Sequence, residues 1–394
     1  MTEQQKKSLA CELNALCVFR GLLKTKPIAA LIGFLQSSEN IQTQSELFGE
    51  FVHSLSYDNY SFSDFLRRSI FADENRYVVS VAKKKNIPNF LLNNVNSELQ
   101  IFSRLTHLSA KDLFEDIEYD GYIPSFENSE TDFTAVYKER IKNINRYGYG
   151  IFSTANMFTL ENDAVVPVKS ADTVSVDGFI GYENERKKVF DNTKALIDGK
   201  SAANILLFGD AGTGKSSTVK ACANYFAEQG VRLIEIRKDQ LFGLPHIMGR
   251  IADNPLKFII FIDDLSFNKN DDCFSMLKAA LEGSASAKAK NAVIYATSNR
   301  RHIVKESFSD RSGDDDLHRN DTVQELLSLS DRFGLTVYFE RPDKSLYLDI
   351  IHKLADKNNI TIDKTELDTK AEAFALAKGT RSPRAAEQFI NSII

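Results

Sequence analysis

The sequence predicts an α/β fold: a parallel sheet of five strands covered by helices, preceded by a mainly helical region and followed by a small helical lid. Three observations predict it. Short apolar runs at 204–208, 231–236, 258–262, 292–297 and 335–339 alternate with helical stretches, which is the pattern of parallel strands buried on both faces. A glycine-rich loop separates the first of these runs from the helix after it. Helical spacing governs the chain before residue 150 and again after Pro342.

With 394 residues the chain is too long for one ordinary core. The expected division is a helical N-terminal domain over 1–172, an α/β core over 173–341 and the lid over 342–394. Hydrophobic residues make up 43% and charged ones 26%, a globular rather than a disordered balance. The formal net charge of −5 argues against broad non-specific binding of nucleic acid, which relies on Lys and Arg neutralising phosphates. The cysteines Cys11, Cys17, Cys222 and Cys273 lack metal-ligand spacing and read as reduced, mostly buried thiols. Neither an eighteen-residue apolar run nor a signal-peptide layout is present. The expectation is therefore a cytoplasmic protein with no membrane partner.

In the N-terminal region, Leu47, Phe48, Phe51, Val52 and Leu55 recur at helical spacing, as do Ile101, Phe102, Leu105 and Leu108. Ser109 reads as the N-cap of a helix carrying Leu113, Phe114 and Ile117. Lys83, Lys84 and Lys85 read as a solvated helix face. Residues 157–160 and 165–168 flank Glu161-Asn162-Asp163, so a hairpin or extended link is expected to close this domain. Pro167 favours an edge position there.

The glycine-rich loop is Gly209-Asp210-Ala211-Gly212-Thr213-Gly214-Lys215-Ser216, with Ser217 following, and it fits G-x-x-x-x-G-K-[ST] throughout. The glycines let backbone N–H groups turn inward around phosphates. Lys215 reaches the β and γ oxygens, and Ser216 offers its hydroxyl to Mg²⁺. The helix that begins there points its positive end at the same anion. This is a P-loop nucleotide site for Mg-ATP. A dinucleotide turn is excluded because G-x-G-x-x-G is absent at this loop.

A pair of carboxylates follows. The run 258–262 leads into Asp263-Asp264, placing a carboxylate at the end of a buried strand where P-loop enzymes hold their metal. Asp263 suits the metal, and Asp264 suits polarising the attacking water. Other signals carry less. Leu241-Phe242-Gly243 reads as a strand-to-helix connection, Asp314-Asp315-Asp316 as a solvated acidic loop, and His246, His302 and His318 stand without ligand spacing.

Four further segments resemble the AAA+ ATPase superfamily. Phe179-Ile180-Gly181-Tyr182-Glu183 is similar to the segment that borders the adenine. Ala296-Thr297-Ser298-Asn299-Arg300 resembles sensor 1, which implies that Asn299 shares the nucleophilic water with Asp264. Leu329-Ser330-Asp331-Arg332-Phe333 resembles the arginine-finger box, implying that Arg332 acts on ATP held by a neighbouring subunit. Ser382-Pro383-Arg384 is similar to sensor 2, whose arginine reads the γ-phosphate from the lid. A local argument supports Arg384: Ser382 is a good N-cap, Pro383 fits the first helical position, and Gly379 closes the helix before. Arg381 is the rival. In more detail, 178–339 resembles a bacterial AAA+ family catalogued only as a domain of unknown function, with 204–217, 261–267, 295–302 and 329–335 carrying the likeness. One departure from the wider AAA+ pattern matters: its usual Asp-Glu pair is Asp263-Asp264 here, and the shorter side chain bears on hydrolysis rather than binding.

The resulting expectation is an ATPase that attacks the γ-phosphate with water, assembles as a homo-oligomer in a ring or in response to nucleotide, and remodels an unidentified protein partner through lid motion passed to the N-terminal helices. The alternatives are a slow-turnover ATP-dependent switch and, with nucleic acid as partner, a loader.

Overall fold

The computed structural model describes residues 1–37, 41–168, 176–265, 272–282, 289–299 and 332–393. It divides into two compact units, Met1–Thr154 and Ala155–Ile394.

The first unit is helical: α1 (Glu3–Asn14), α2 (Lys26–Gln36), α3 (Ile41–Ser54), α4 (Phe62–Ala72), α5 (Arg76–Ala82), α6 (Asn89–Leu105), α7 (Ala110–Phe114), α8 (Phe133–Lys142) and α9 (Ile144–Tyr147). Local sequence sets several of the starts. Thr2 and Gln5 form a reciprocal capping box on α1, and Ser109 with Asp112 forms another on α7. The core is built on phenylalanine. Phe48 meets Phe34, Phe51 and Phe114 at centroid distances of 4.9–5.9 Å, and Phe51 packs edge-on against Phe62 at 5.1 Å. Removing one such ring costs about 3–5 kcal/mol. Among the buried polar residues of this unit is Glu98, whose carboxylate accepts N–H bonds from Cys17, Val18 and Phe19, fixing the turn after α1 to α6. Lys83–Lys85 fall in the exposed turn after α5 instead of on a helix face, and Lys84 is left-handed there. Cys11 and Cys17 are exposed and Cys222 is buried, so burial of the thiols holds for only part of the set.

The second unit carries one sheet of seven described strands in the order β2-β1-β4-β5-β6-β3-β7: β1 (Met157–Glu161), β2 (Ala164–Pro167), β3 (Ile205–Gly209), β4 (Val231–Ile236), β5 (Lys257–Ile262), β6 (Ala292–Ser298) and β7 (Leu335–Phe339). The five strands from β3 to β7 are mutually parallel, in keeping with their largely apolar runs. Two strands beyond the expected five come from the hairpin. Asn162 and Asp163 both adopt positive φ, 48° and 61°, the geometry of a tight two-residue turn whose twist suits paired strands. The hairpin does not close the N-terminal domain. β1 pairs parallel with β4, and the Leu233 N–H bonds the Asn156 carbonyl. Without β1 the backbone of buried β4 would stand unpaired at an edge. Periodicity within 157–168 cannot show which strand it will join.

Around the sheet lie α10 (Glu183–Ile197), α11 (Lys215–Tyr225), α12 (Leu244–Ile251) and α13 (Asp272–Glu282). The segment Lys238–Gly243 forms a 3₁₀ connection between β4 and α12, as Leu241-Phe242-Gly243 suggested. After β7 come α14 (Lys344–Lys357), α15 (Lys364–Lys378) and α16 (Pro383–Ile393). Their own core includes Tyr347, Ile351, Leu367, Ala371 and Phe389. Asp343 and Asp363 cap α14 and α15, Gly379 ends α15 at φ 70°, and the Ser382 hydroxyl accepts the Ala385 N–H at the start of α16. Among the described residues no helix is long and apolar enough to cross a membrane.

Candidate functional site

The site forms where β3 stops. At Gly209 the chain has φ 138°, and a Cβ there would sit 2.0 Å from the Phe339 carbonyl oxygen of β7. Only glycine lets β3 and β7 stay paired while the chain leaves the sheet. The loop then turns through Gly212 and Gly214, both at positive φ, into the N-terminus of α11.

Lys215 is 6% exposed. Its ammonium donates to the carbonyls of Gly209 (2.9 Å) and Asp210 (2.7 Å) and to Asn299 Oδ1 (3.2 Å). Burial pulls its pKa below the ordinary lysine value, and the carboxylates of Asp210, Asp263 and Asp264 act in the opposite sense. Ser216 Oγ donates to Asp263 Oδ1 at 2.6 Å, so the two residues expected at the metal meet. A hydroxyl and a carboxylate oxygen are hard donors of the kind Mg²⁺ takes, and the donor set fits.

Asp264 is left-handed at φ 49°, a conformation Asp tolerates better than most residues. Its N–H donates to Thr297 Oγ1 at 2.9 Å, and the Thr297 hydroxyl donates to Asp263 Oδ1. Asn299 Nδ2 donates to Asp264 Oδ1 at 3.0 Å. Asn299 therefore bridges the phosphate-loop lysine and the second carboxylate.

From the lid, Arg384 lines the same cleft, together with Ala211 through Ser217, Asp263, Asp264, Thr297 and Asn299. Its backbone N–H reaches the Gly212 carbonyl at 3.3 Å. The rival Arg381 is turned away and forked onto Glu372, Nε to Oε1 at 3.0 Å and Nη2 to Oε2 at 2.8 Å.

A second pocket adjoins this one along Gly212, Thr213, Gly214, Ser217 and Arg384. Phe179 and Ile180 line it, as do Tyr182, Arg186, Ile350, Leu354, Pro383 and Glu387. The Arg186 guanidinium lies 5.2 Å over the Phe179 ring. Gly181 does not line the pocket. At φ 74° it turns the chain toward α10, and a Cβ there would come 3.1 Å from Leu346 Cδ1. Tyr182 secures the same turn by donating its hydroxyl to the Glu340 carbonyl at 2.6 Å. Gly209 and Asp210 contribute carbonyls to Lys215 and line neither pocket.

Half-buried Arg332 stands just before β7 and is not among the residues lining either pocket. The rest of its box, 329–331, lies outside the described residues, as do Arg300, Arg301, His302, Asp314–Asp316 and His318. Sequence reading gave no role to Arg186 or Glu387, and none of their own to Thr297 and Tyr182, which it named only within the sensor 1 and adenine-bordering segments. For Thr297 a signal existed: strand alternation puts it on the face of Asn299, two residues on. The other three depend on how the lid and the segment before α10 meet the loop.

A five-stranded parallel core in the order β4-β5-β6-β3-β7, with a phosphate loop after its fourth strand in that order, carboxylates after β5, a polar sensor after β6 and a helical lid, defines an AAA+ type P-loop fold of the ATP-binding class. Residues 153–394 match the family described as protein of unknown function, DUF815, and the chain belongs to that family. No curated protein matches the sequence. Among solved structures, it is similar to the Thermotoga maritima RuvB Holliday junction branch migration motor, with 14% identity over 55% of this chain and 71% of that one and a TM-score of 0.34. It is also similar to AMPPCP-bound DnaA from Aquifex aeolicus, with 19% identity over 56% of this chain and 64% of that one and a TM-score of 0.38. These likenesses are weak, and the fold assignment stands on strand order and motif placement.

Proposed function

We propose that the chain binds Mg-ATP and hydrolyses it to ADP and phosphate. The observation that carries this reading is the Asn299 bridge. It gathers the phosphate lysine and the carboxylate suited to polarise water into one hydrogen-bonded group, beside the Ser216–Asp263 pair. Ser216 and Asp263 would hold Mg²⁺, which would supply charge neutralisation for the polyphosphate. Lys215 binds the β and γ oxygens, Asp264 accepts a proton from the attacking water, and Asn299 orients that water. Arg384 approaches the γ-phosphate from the lid. Arg332 is assigned to a neighbouring copy's nucleotide, a role that raises hydrolysis by ~10³–10⁵. The site is then complete only in a homo-oligomer, and lid movement between nucleotide states does work on a protein partner.

A second reading is a slow switch in which bound ATP selects assembly or partner. Asp264 favours it, being one methylene shorter than the Glu usual at this place.

Steady-state ATPase activity over a wide range of protein concentration separates the two, with Lys215→Ala and Arg332→Ala as controls. Activity that rises steeply with concentration and disappears in both variants supports the shared-site ATPase. Nucleotide binding without turnover at any concentration, with no partner restoring it, leaves the switch.

A further inference from the structure

We infer that Glu387 reads the ribose hydroxyls of the bound nucleotide and makes the site selective for ribonucleotides over deoxyribonucleotides. This rests on the ATP reading above and adds which part of the nucleotide the lid helix recognises.

Helix α16 sets the geometry. Its first turn is seated against the phosphate loop. The Arg384 N–H reaches the Gly212 carbonyl, and a Cβ on Gly212 would meet Ser382 Oγ at 3.1 Å and Arg384 Cβ at 3.2 Å. Arg384 lines both the phosphate end of the cleft and the adjoining pocket, whereas Glu387 lines only the adjoining one. Residues three apart share a helix face and are separated by about 4.5 Å along the axis. Glu387 therefore stands one step from the phosphate arginine toward the apolar slot of Phe179, Ile180, Ile350 and Leu354. A nucleotide with its phosphates on the loop and its base in that slot has its sugar at this step.

The chemistry of the carboxylate agrees. Among the described residues the Glu387 side chain makes no hydrogen bond or ion pair. Arg186, which lines the same pocket, sits over Phe179 and 3.7 Å from Glu183. An ionised carboxylate can only accept hydrogen bonds, and beside a polyphosphate it is repelled unless neutral donors face it. The 2′- and 3′-hydroxyls are such donors at the level of the sugar. A carboxylate on ribose hydroxyls is also the solution that dinucleotide-binding folds use.

The test is equilibrium binding of ATP, 2′-deoxy-ATP and 3′-deoxy-ATP with Mg²⁺ to the full-length wild type and to Glu387→Ala and Glu387→Gln. The wild type is expected to bind ATP about tenfold more tightly than at least one deoxy form, the worth of one charge-assisted hydrogen bond. In Glu387→Ala the ratio falls to about one, through loss of ATP affinity with deoxynucleotide affinity kept, and Glu387→Gln lies between. A purely structural role would weaken all three nucleotides together, which overturns the inference. Equal binding of the three by the wild type, or an unchanged ratio in Glu387→Ala, overturns it as well and leaves ATP binding standing. Failure of the wild type to bind any of them removes the ATP reading and this one with it.

Discussion

Replacing Thr297 by Val tests the organisation of the site at the point that joins its two carboxylates. Thr297 is 2% exposed. Its hydroxyl donates to Asp263 and accepts the Asp264 N–H, and valine keeps the shape while deleting both bonds. The Asp264 N–H retains its 3.1 Å contact to Asp263 Oδ1, so one of the two losses is partly covered. A charged-acceptor bond is worth about 1.5–3 kcal/mol and a neutral one about 1 kcal/mol. A net destabilisation of about 2 kcal/mol follows, or about 4–8 °C in the melting temperature of a unit this size. Function should suffer in a particular way. Asp264 is held left-handed by this bond, and without it the carboxylate no longer faces water in a fixed pose. Turnover should fall about 10–100-fold, a misplacement effect, while ATP affinity changes less than threefold, because Lys215 and the loop are untouched. Chemical denaturation, single-turnover hydrolysis and ATP binding measured on one preparation would show this. Wild-type stability together with wild-type turnover in Thr297→Val would refute the argument that this hydroxyl organises the carboxylates.

Two other perturbations have defined outcomes. Gly209→Ala places a methyl 2.0 Å from a backbone carbonyl of β7 and strains a φ of 138°, so unit-two unfolding should become easier by about 4 kcal/mol; a denaturant midpoint unchanged from wild type would contradict the close approach. In the lid, the Arg381 fork holds the Glu372 carboxyl below the ordinary glutamate range. Because the folded pKa is the lower one, the stabilisation is complete above the unfolded pKa of about 4.3 and is lost as pH falls through the folded value. Melting curves between pH 3 and 6 should therefore drop less steeply for Glu372→Gln than for wild type, and parallel curves would exclude the linkage.

The phosphate loop was legible because its chemistry is contiguous: eight neighbouring residues must supply inward N–H groups, a lysine and a hydroxyl, so spacing alone reveals them. The ends of α7, α15 and α16 were legible for a similar reason. A cap hydrogen bond spans two or three residues, and Ser109, Gly379 and Ser382 carry their geometry locally. Asp263, Asp264 and Asn299 could be placed at strand ends, though not in contact with one another. Tertiary structure decided the rest. The hairpin joined β4, which no period within the hairpin encodes. Arg384 took the cleft because Arg381 found Glu372 nine residues earlier on α15. Thr297 became the tie between two aspartates because β6 pairs beside β5, which brings its hydroxyl to Asp263 across 34 residues of chain. Glu387 reached the pocket beside the phosphate loop because the first turn of α16 rests on Gly212. Local spacing fixes which atoms a short segment can offer. Which of them meet depends on how distant elements pack, since a side chain's partner across the sheet or on the lid is set by burial and register rather than by its sequence neighbours.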